Sequence, residues 1–586
     1  MYFVPAPTGA GKTTFTCALI AAAFETDPEY SAVIATETIA GAIAVHGYLS
    51  KLIPADELCI YTSAHALGNF NAVRAEHGEE VANHVLQVGT VSRTELGKAR
   101  IAVCTHELAR REHSESIDYG VQRYLGQRRK NVIWDEQPGF VSILSVSRAD
   151  IVYLSEQLRV VPEGAVVRHI IRAIEDRCRE QLDSDGARLE PAHLLTRQEY
   201  LALADIDYSP VAHGADAEKI ADVLLFLDAA SHGNCFMDRG ARGPAGERNG
   251  QRRCFISYKR DFQAHPGIVV LDATSSLSPV PKLLPNAKVV DAPQADYRNL
   301  QITHLDMPDE LRHVARRCAS RELDKEFIRF ARKNVLEHTE VGDEILVVVH
   351  KRHVENEHCL HDPFTWQGRK VAVLHWGCGI GSNKWQQASH VFLFSEFHVP
   401  RSAHVAEGYG LQGLPASTES FNSDAIGQVL KGAPAQAQKG QRLRWFKQLA
   451  CRGRIRNIGN EGVCQEMKLF TTMPSGTLIE NYAALFLGAP EPKFVGTPIN
   501  GKPTKGVRLA NYLMSSSEAH LCASKVANDL DIKVSEVGRA FSSHACAPLT
   551  VFGWHFTPGN GRQSKPFFTK GPSLVDSKFN NKEISV

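Results

Sequence analysis

A glycine-rich loop near the start of the chain limits its fold more than any other feature. Residues 2–5 form a short apolar run, and the loop Ala-Pro-Thr-Gly-Ala-Gly-Lys-Thr follows at residues 6–13, directly before a helical stretch. Glycines let backbone N–H groups point inward around phosphate oxygens, and the N-terminus of the next helix adds the positive end of its dipole. The pattern therefore predicts a strand, a phosphate-binding loop and a helix within an α/β fold.

The same loop carries the side chains that a nucleotide site needs. Lys12 is expected to reach the β- and γ-phosphates, and the Thr13 hydroxyl is expected to bind Mg²⁺. The first glycine that is usual in this pattern is replaced by Ala6. The residues predicted to contact the nucleotide are Thr8, Gly9, Ala10, Gly11, Lys12, Thr13 and Thr14.

Two adjacent carboxylates follow an apolar, strand-like run further along the chain. Asp135 and Glu136 come directly after Asn-Val-Ile-Trp at residues 131–134. The carboxyl ends of parallel strands line the crevice in which α/β folds bind ligands. Asp135 is therefore predicted to hold Mg²⁺, and Glu136 to activate the attacking water. An isolated Asp-Glu pair after a strand is more often a solvated turn, but the glycine-rich loop favours the catalytic interpretation here.

The alternation of strand-like and helical segments indicates two α/β series. The first series covers about 140 residues, and the second begins near residue 300. Between them the chain is mainly helical, with a basic strand-like run at residues 252–259. Residues 408–440 are rich in Gly, Ala, Gln and Ser and are predicted to form a surface excursion. The expected domains are residues 1–140 with 265–295, an insertion at 141–264, a second domain at 296–497 and a C-terminal module at 498–586.

Composition places the chain among soluble globular proteins, with 43% apolar and 22% charged residues. Because the formal net charge is only +1, a polyanionic partner would have to meet local basic patches. The thirteen cysteines form no CxxC pair, which argues against a zinc ribbon or a compact iron–sulfur site. We expect no signal peptide and no membrane span, because no apolar run reaches the ~20 residues that a span needs. The expected location is cytoplasmic.

In their order along the chain, the motifs resemble those of the superfamily 2 DExD/H-box helicases and translocases. Residues 6–13 resemble motif I, and Asp-Glu-Gln-Pro at 135–138 resembles motif II. Leu-Asp-Ala-Thr-Ser at 271–275 is similar to motif III, and residues 345–350 are similar to motif IV. The resemblance implies two RecA-like P-loop domains with parallel sheets, a helical insertion in the first and a nucleotide between them. It also implies ATP and Mg²⁺ as cofactors and a nucleic acid lying across both domains.

The resemblance also implies roles for individual residues. Segments that look like motifs Ia, Ib and V carry the expected nucleic-acid contacts Thr36, Thr105, Ser382 and Asn383. Residues 448–456 look like motif VI and carry the expected catalytic residues Gln448, Arg452 and Arg456. In this segment Cys451 takes the place of the motif's glycine, and Ile455 takes that of its last arginine. Arg452 matches the spacing best and Arg456 is the second candidate, so the identity of the arginine finger stays open.

The last predicted unit contains a helix-turn-helix pattern at residues 523–541. Ala527 is expected in the angle between the helices, Asp531 in the turn and Val537 in the core, with Ser535 capping the second helix. From Lys502 onward there are eleven Lys and Arg against six Asp and Glu, which favours a surface that contacts phosphates. The predicted contacts are Lys533 and Arg539. The alternative is a helical hairpin that only packs on the motor.

Together these features predict an ATP-dependent nucleic-acid helicase or translocase, with DNA favoured over RNA, acting in replication or a mobile-element process. One alternative is a translocase that remodels protein–DNA complexes without unwinding. Another is a DNA-binding replication or defence factor with a degenerate motor. The first alternative predicts no strand displacement. The second alternative predicts no ATP hydrolysis stimulated by nucleic acid.

Overall fold

The computed structural model places most of the 586 residues. The residues that it describes are 1–67, 70–89, 91, 93–111, 121–184, 189–239, 254–261, 267–312, 314, 317, 320–356, 360, 366–379, 384–417, 419, 421, 430–496, 505–542, 546, 549–550, 553–559 and 565–571.

The strands, numbered along the chain, are β1 (Tyr2–Phe3), β2 (Ala32–Thr36), β3 (Leu58–Tyr61), β4 (Ile101–Thr105), β5 (Arg123–Tyr124), β6 (Gln127–Arg128), β7 (Asn131–Asp135), β8 (Val141–Val146), β9 (Leu189–Pro191), β10 (Cys235–Asp238), β11 (Cys254–Arg260), β12 (Ile268–Leu271), β13 (Lys288–Val289), β14 (Leu300–Asp306), β15 (Glu344–Val349), β16 (Lys370–His375), β17 (His390–Leu393), β18 (Met467–Thr471), β19 (Lys493–Gly496), β20 (His520–Cys522), β21 (Trp554–Thr557) and β22 (Phe567–Lys570).

The α-helices are α1 (Lys12–Thr26), α2 (Ile39–Leu49), α3 (Ser63–Leu67), α4 (Phe70–His77), α5 (Glu79–Val88), α6 (Arg93–Leu96), α7 (His106–Arg111), α8 (Arg148–Gln157), α9 (Gly164–Asp183), α10 (Arg197–Ala204), α11 (Ala215–Ser231), α12 (Val280–Leu283), α13 (Asp309–Arg312), α14 (Arg321–His338), α15 (Lys351–Asn356), α16 (Arg401–Gln412), α17 (Gly432–Ala450), α18 (Ser475–Leu485), α19 (Lys505–Ser515), α20 (Ala523–Asp529) and α21 (Val534–Phe541). In the described part of the chain, none of these helices is both long and apolar enough to cross a membrane.

The chain divides into two compact units. The first unit consists of Met1–Ala6, Gly11–Ala292 and His398–Arg444. The second unit consists of Pro7–Ala10, Pro293–Phe397 and Trp445–Val586. The segment His398–Arg444 therefore departs from the predicted division, which placed it in the second domain.

The first unit is built on a parallel sheet. Among the described residues, seven strands pair in the order β13-β1-β12-β7-β2-β4-β3. Their apolar side chains alternate between two core clusters, with Val33, Ala102 and Val132 on one face and Ile34, Val103 and Ile133 on the other. Both faces are covered, which is why these strands read as continuous apolar runs. The predicted first α/β series is confirmed.

The insertion combines helices with a second sheet. The predicted helices are present as α8–α11, and within the described residues four antiparallel strands accompany them in the order β8-β11-β10-β9. Cys235, Met237 and Phe255 pack with the helices on one face of this sheet. Phe236 and Ile256 point to the opposite face, as the two-residue period of a strand requires. The basic run expected at residues 252–259 includes part of β11.

The predicted surface excursion at residues 408–440 is wrong for the residues that are described. Tyr409, Ala416 and Leu430 are buried in one core cluster with Phe236 and Ile256 of the insertion sheet. Gly408 allows α16 to approach the start of α17, because a Cβ there would lie 2.7 Å from the Pro434 nitrogen. The abundance of small residues therefore reflects close packing, which composition alone does not distinguish from exposure.

The second unit contains the second predicted parallel sheet, which is confirmed. Among its described residues, six strands pair in the order β16-β15-β17-β18-β14-β19. Helix α14 covers one face through Phe327, Phe330 and Val335, which pack with Phe392 and Phe470 of the sheet. The strands expected at residues 345–349, 370–374 and 391–394 correspond to β15, β16 and β17 within one residue at each end.

The C-terminal part of the second unit has its own apolar core around α19, α20, α21 and an antiparallel sheet ordered β20-β22-β21. Ala527 and Val537 are fully buried, and Asp531 adopts a left-handed φ of 50° in the turn between α20 and α21. These features match the helix-turn-helix pattern. The expected cap at Ser535 is wrong, because α21 begins at Val534 and the Glu536 carboxylate accepts from the Lys533 backbone N–H at 3.4 Å.

Candidate nucleotide-binding site

The glycine-rich loop connects β1 to α1 and has the backbone conformation that its glycines permit. Gly9 and Gly11 have φ values of 86° and 72°, in the left-handed region that favours glycine. The Ala10 N–H donates to the Pro7 carbonyl at 3.2 Å, and α1 begins at Lys12. Ala6 is not among the described residues with positive φ. The backbone at this position therefore does not require the glycine that is usual there.

Lys12 lies at the first turn of α1 with its side chain directed back over the loop. Its Nζ donates to the Ala6 carbonyl at 3.0 Å. Lys12 as a residue is half-buried. A phosphate bound by the loop would meet both the helix N-terminus and this cation.

Thr13 and Asp135 come together although 122 residues separate them. The Thr13 hydroxyl lies 3.0 Å from both Oδ1 and Oδ2 of Asp135. Burial raises the pKa of Asp135, while the Thr13 hydroxyl and the Lys12 charge lower it. A hydroxyl and a half-buried carboxylate are the hard oxygen ligands that Mg²⁺ prefers. A cation there would also compensate the half-buried negative charge, so these residues fit the predicted metal.

Glu136 has an unusual backbone conformation directly after β7. Its φ of 77° lies in the left-handed region, which costs a residue with a side chain about 1–3 kcal/mol. The Glu136 backbone N–H donates to the Leu271 carbonyl at 3.1 Å, which ties the turn to β12. A strained backbone conformation persists only where neighbouring contacts stabilise it. In this turn, Asp135 and Glu136 lie at the end of β7, at one edge of the sheet.

The predicted contacts Thr36 and Thr105 lie in the same row of the sheet as Asp135. Thr36 pairs with Thr105 on one side and with Asp135 on the other. Thr36 is only 2% exposed, and its hydroxyl donates to the Thr38 carbonyl at 2.8 Å. Thr105 is half-buried, so it is the more accessible of the two threonines.

The segment that resembles motif III forms a hydrogen-bonded turn at the end of β12. Asp272 is fully buried, and its Oδ1 accepts from the Thr274 N–H at 2.9 Å and from the Thr274 hydroxyl at 2.7 Å. The Ser275 hydroxyl donates to the Asp272 carbonyl at 2.8 Å. These bonds fix the chain as it leaves β12, while the buried Oδ2 of Asp272 has no hydrogen-bond partner among the described residues.

The residues of the motif VI segment lie in the second unit. Gln448 and Arg452 are each 3% exposed, and Arg456 ends the short 3₁₀ helix Arg454–Arg456. Gly9 belongs to this unit too, and a Cβ added to it would overlap the Arg456 backbone carbonyl. The structure therefore brings Gly9 and Arg456 together, while Arg452 is buried in the body of the unit.

The other predicted nucleic-acid contacts fall in two places. Lys533 and Arg539 are exposed on the C-terminal module, directly before and within α21. Ser382 and Asn383 lie outside the described residues.

Two residues that contact the acid-pair segment, Arg444 and His106, and one residue near Arg444, Glu407, were not predicted to act there. The Arg444 Nη2 donates to the Gln137 carbonyl at 2.8 Å. Burial raises the pKa of Glu407, on α16, to about 7, while the Arg444 charge lowers it. Burial also lowers the pKa of His106 to about 4, and its ring packs at 5.3 Å from that of Trp134. His106 stands in the segment that resembles motif Ib, but nothing in the sequence connects Arg444 or Glu407 to residues some 300 positions away.

The fold and this site define the chain as an α/β protein with two parallel sheets and a glycine-rich loop between the first strand and the first helix. No protein-family model and no curated protein matches the chain. It is similar to the solved structure XPD_APO, with a TM-score of 0.44 and 13% identity over 85% of this chain and 97% of that one. It is similar to XPD_Helicase with a TM-score of 0.44 and 12% identity over 84% and 96%.

A third similar structure is the E. coli DExH-box NTPase HrpB, with a TM-score of 0.27 and 13% identity over 89% of this chain and 43% of that one. These names include a helicase and a DExH-box NTPase, the class that the motifs of this chain resemble.

Proposed function

We propose that this protein is an ATP-dependent helicase or translocase that acts on nucleic acid, with DNA favoured over RNA. The observation that carries the proposal is the pairing of the Thr13 hydroxyl with the Asp135 carboxylate at 3.0 Å, with Lys12 beside them in the loop. P-loop NTPases combine a lysine for the phosphates with a threonine and an acid for Mg²⁺. An acidic residue that could serve as a base, Glu136, follows directly.

Each residue has a defined task in hydrolysis. Lys12 and the N–H groups of residues 8–14 bind and orient the β- and γ-phosphates. Thr13 and Asp135 would hold Mg²⁺, which neutralises phosphate charge when bound. Glu136 accepts the proton of a water whose oxygen bonds to the γ-phosphorus. The bond from that phosphorus to the β-phosphate oxygen breaks, and the nucleoside diphosphate leaves with its electron pair.

A cation from the motif VI segment would stabilise the charge that develops on the γ-phosphate. The proximity of Gly9 to the Arg456 carbonyl favours Arg456 as this cation. Arg452 and Gln448 are each only 3% exposed. These two residues are therefore better suited to orient neighbouring groups.

Nucleic acid would be bound through its phosphates. Thr105, Ser382 and Asn383 are the proposed contacts of the motor, with Thr36 supporting the loop after β2. Lys533 and Arg539 are exposed beside the second helix of a helix-turn-helix, the position that enters the DNA major groove in such modules. This placement favours duplex DNA as the partner of the C-terminal module.

The proposal is tested by ATP turnover with single-stranded DNA, duplex DNA and RNA as competing stimulators. Wild type should be stimulated most by DNA. Glu136→Gln should bind nucleotide but hydrolyse it roughly 10²- to 10⁴-fold more slowly, since the base is lost and the shape is kept. Glu25→Gln, exposed on α1, is the matched control and should retain wild-type turnover. Undiminished turnover in Glu136→Gln would show that Glu136 is not the base.

Two displacement assays separate unwinding from remodelling. A partial duplex DNA reports strand separation, and a streptavidin bound to biotinylated DNA reports translocation. Release of both supports a helicase, and release of streptavidin alone supports a translocase that remodels protein–DNA complexes. Absence of any stimulated ATP turnover in wild type would instead favour a DNA-binding factor with a degenerate motor.

A further inference from the structure

An arginine from the part of the chain after β17 donates a hydrogen bond to the backbone next to the acid pair. Arg444 lies on α17, and its Nη2 donates to the Gln137 carbonyl at 2.8 Å, across 307 positions of sequence. Gln137 is 8% exposed, so this bond is sheltered from water. It ends on the residue directly after Glu136, the proposed base.

Within the first unit, α16 and the part of α17 up to Arg444 pack closely against neighbouring segments at two glycines. A Cβ at Gly410 would overlap the side chain of Val141, at the start of β8. A Cβ at Gly440, one helical turn before Arg444, would overlap the ring of Pro279. Close-packed interiors transmit small displacements because they leave few voids. This packing therefore fixes the position of the α17 backbone, and of Arg444 on it, relative to the strands that carry the site.

The turn at residues 135–137 needs such support. Glu136 has a φ of 77°, a conformation that relaxes unless neighbouring bonds hold it. The Thr13 hydroxyl holds Asp135 on one side, and the Leu271 carbonyl accepts from the Glu136 N–H. Arg444 supplies the bond on the other side, at the Gln137 carbonyl. A hydrogen bond from a charged donor is roughly twice as strong as a neutral one.

A buried carboxylate lies near Arg444. Glu407 is on α16, and the Arg444 charge acts on it against the effect of burial. The Arg444 Nε is buried and has no hydrogen-bond partner among the described residues. The Arg444 guanidinium thus donates a hydrogen bond from Nη2 to the turn and interacts through its charge with Glu407. Both interactions keep the guanidinium at this position.

From this geometry we propose that Arg444 is a positioning residue for Glu136. By holding the Gln137 peptide, it keeps the strained turn in the conformation that aims the Glu136 carboxylate at the attacking water. The proposal rests on the proposed function, since it assumes that Glu136 is the base of an ATPase. Arg444 does not touch the nucleotide in this role, so nucleotide binding should not depend on it.

The test compares Arg444→Met with wild type by steady-state ATP hydrolysis and by equilibrium binding of a fluorescent ADP analogue. Methionine has a similar length but no donor. We expect kcat to fall roughly 10- to 100-fold, the effect of a misplaced catalytic group, while KM and ADP affinity stay within about twofold because the loop is intact. Arg444→Lys keeps a cationic donor and should recover part of kcat. Arg442→Ala, on the same helix, is the control and should keep wild-type kcat.

Thermal unfolding first establishes that each variant folds. If Arg444→Met unfolds, the decision passes to Arg444→Lys, which should show a lower kcat at unchanged KM because an ammonium lacks the planar fork of arginine. A kcat equal to wild type in the folded variant used for the decision, or a loss confined to KM, overturns the positioning role. These outcomes presuppose an active wild type. An inactive wild type would instead overturn the proposed function.

Discussion

The buried carboxylate of Glu407 makes the stability of the first unit depend on pH. Burial raises the pKa of Glu407 from an ordinary value of 4.5 to about 7, even with Arg444 nearby. The folded protein therefore keeps this proton at pH values where the unfolded chain has lost it. By linkage, the contribution of Glu407 to stability falls as pH rises from about 4.5 to about 7 and is constant above that range.

The size of the effect follows from the shift. A rise of about 2.5 pKa units corresponds to about 3 kcal/mol, at 1.36 kcal/mol per unit. Glu407→Gln mimics the protonated carboxyl and removes this cost. At pH 8 the variant should be more stable than wild type by up to about 3 kcal/mol, and at pH 5 by about 1 kcal/mol or less. For a unit of roughly 340 residues, 3 kcal/mol corresponds to a rise in melting temperature of about 4 °C.

The assay is thermal unfolding of wild type and Glu407→Gln at pH 5, 6, 7 and 8. All other titrating groups are common to the two proteins, so their contributions drop out of the difference in the free energy of unfolding. Glu419→Gln, an exposed acid in the same segment, should show no such pH-dependent difference. A difference between Glu407→Gln and wild type that does not change with pH, or a wild type that is the more stable protein at pH 8, would refute the assignment of a buried, proton-retaining Glu407.

Three further predictions follow from contacts and exposure. Gly440→Ala should lower the free energy of unfolding by about 1–3 kcal/mol, because the added Cβ would overlap a proline ring. Gly47→Ala in helix α2, where a Cβ would have nothing within 4 Å, should raise the free energy of unfolding by about 0.5–1 kcal/mol. Thermal unfolding measures both variants, and equal effects would contradict the packing at Gly440. Thr13→Val removes the hydroxyl that meets Asp135 and should raise the Mg²⁺ concentration that half-maximal ATP turnover requires, and an unchanged Mg²⁺ titration would remove Thr13 from the metal site. Replacing Lys533 and Arg539 by alanine should weaken duplex DNA binding and reduce the salt slope of log K by about 2, and an unchanged slope would mean that α21 does not contact phosphates.

Local chemistry explains why parts of this protein were predictable. The strands β2, β4, β7 and β12 are continuous apolar runs buried on both faces, and such runs are visible in sequence. The conformation of the loop was predictable because Gly9 and Gly11 can adopt the left-handed φ that the turn before α1 takes. The turn of the C-terminal module was predictable for a similar reason, since Asp531 tolerates the left-handed φ that the turn requires.

Segments stabilised by distant partners were not predictable in the same way. The insertion sheet depends on antiparallel pairing between β8 and β11, more than 100 residues apart in sequence, and on α16, which lies further along still. The glycines of α16 and α17 resemble those of an exposed loop until the side chains that would overlap an added Cβ are known. Ser535 was misplaced for a more local reason, because helix starts vary by one or two residues with the capping geometry.

The amino-acid sequence by itself determined the glycine-rich loop before α1, the acid pair at the end of an apolar strand and the two α/β series, because each depends on residue types at short spacing. Only the tertiary structure decided that Glu136 stands in a strained turn, and that the segment His398–Arg444 packs with the first unit. The physical reason is the same in each case: these arrangements depend on which distant surfaces fill one another's space. Arg444 reaches Gln137 through such packing, and no local pattern in the sequence encodes it.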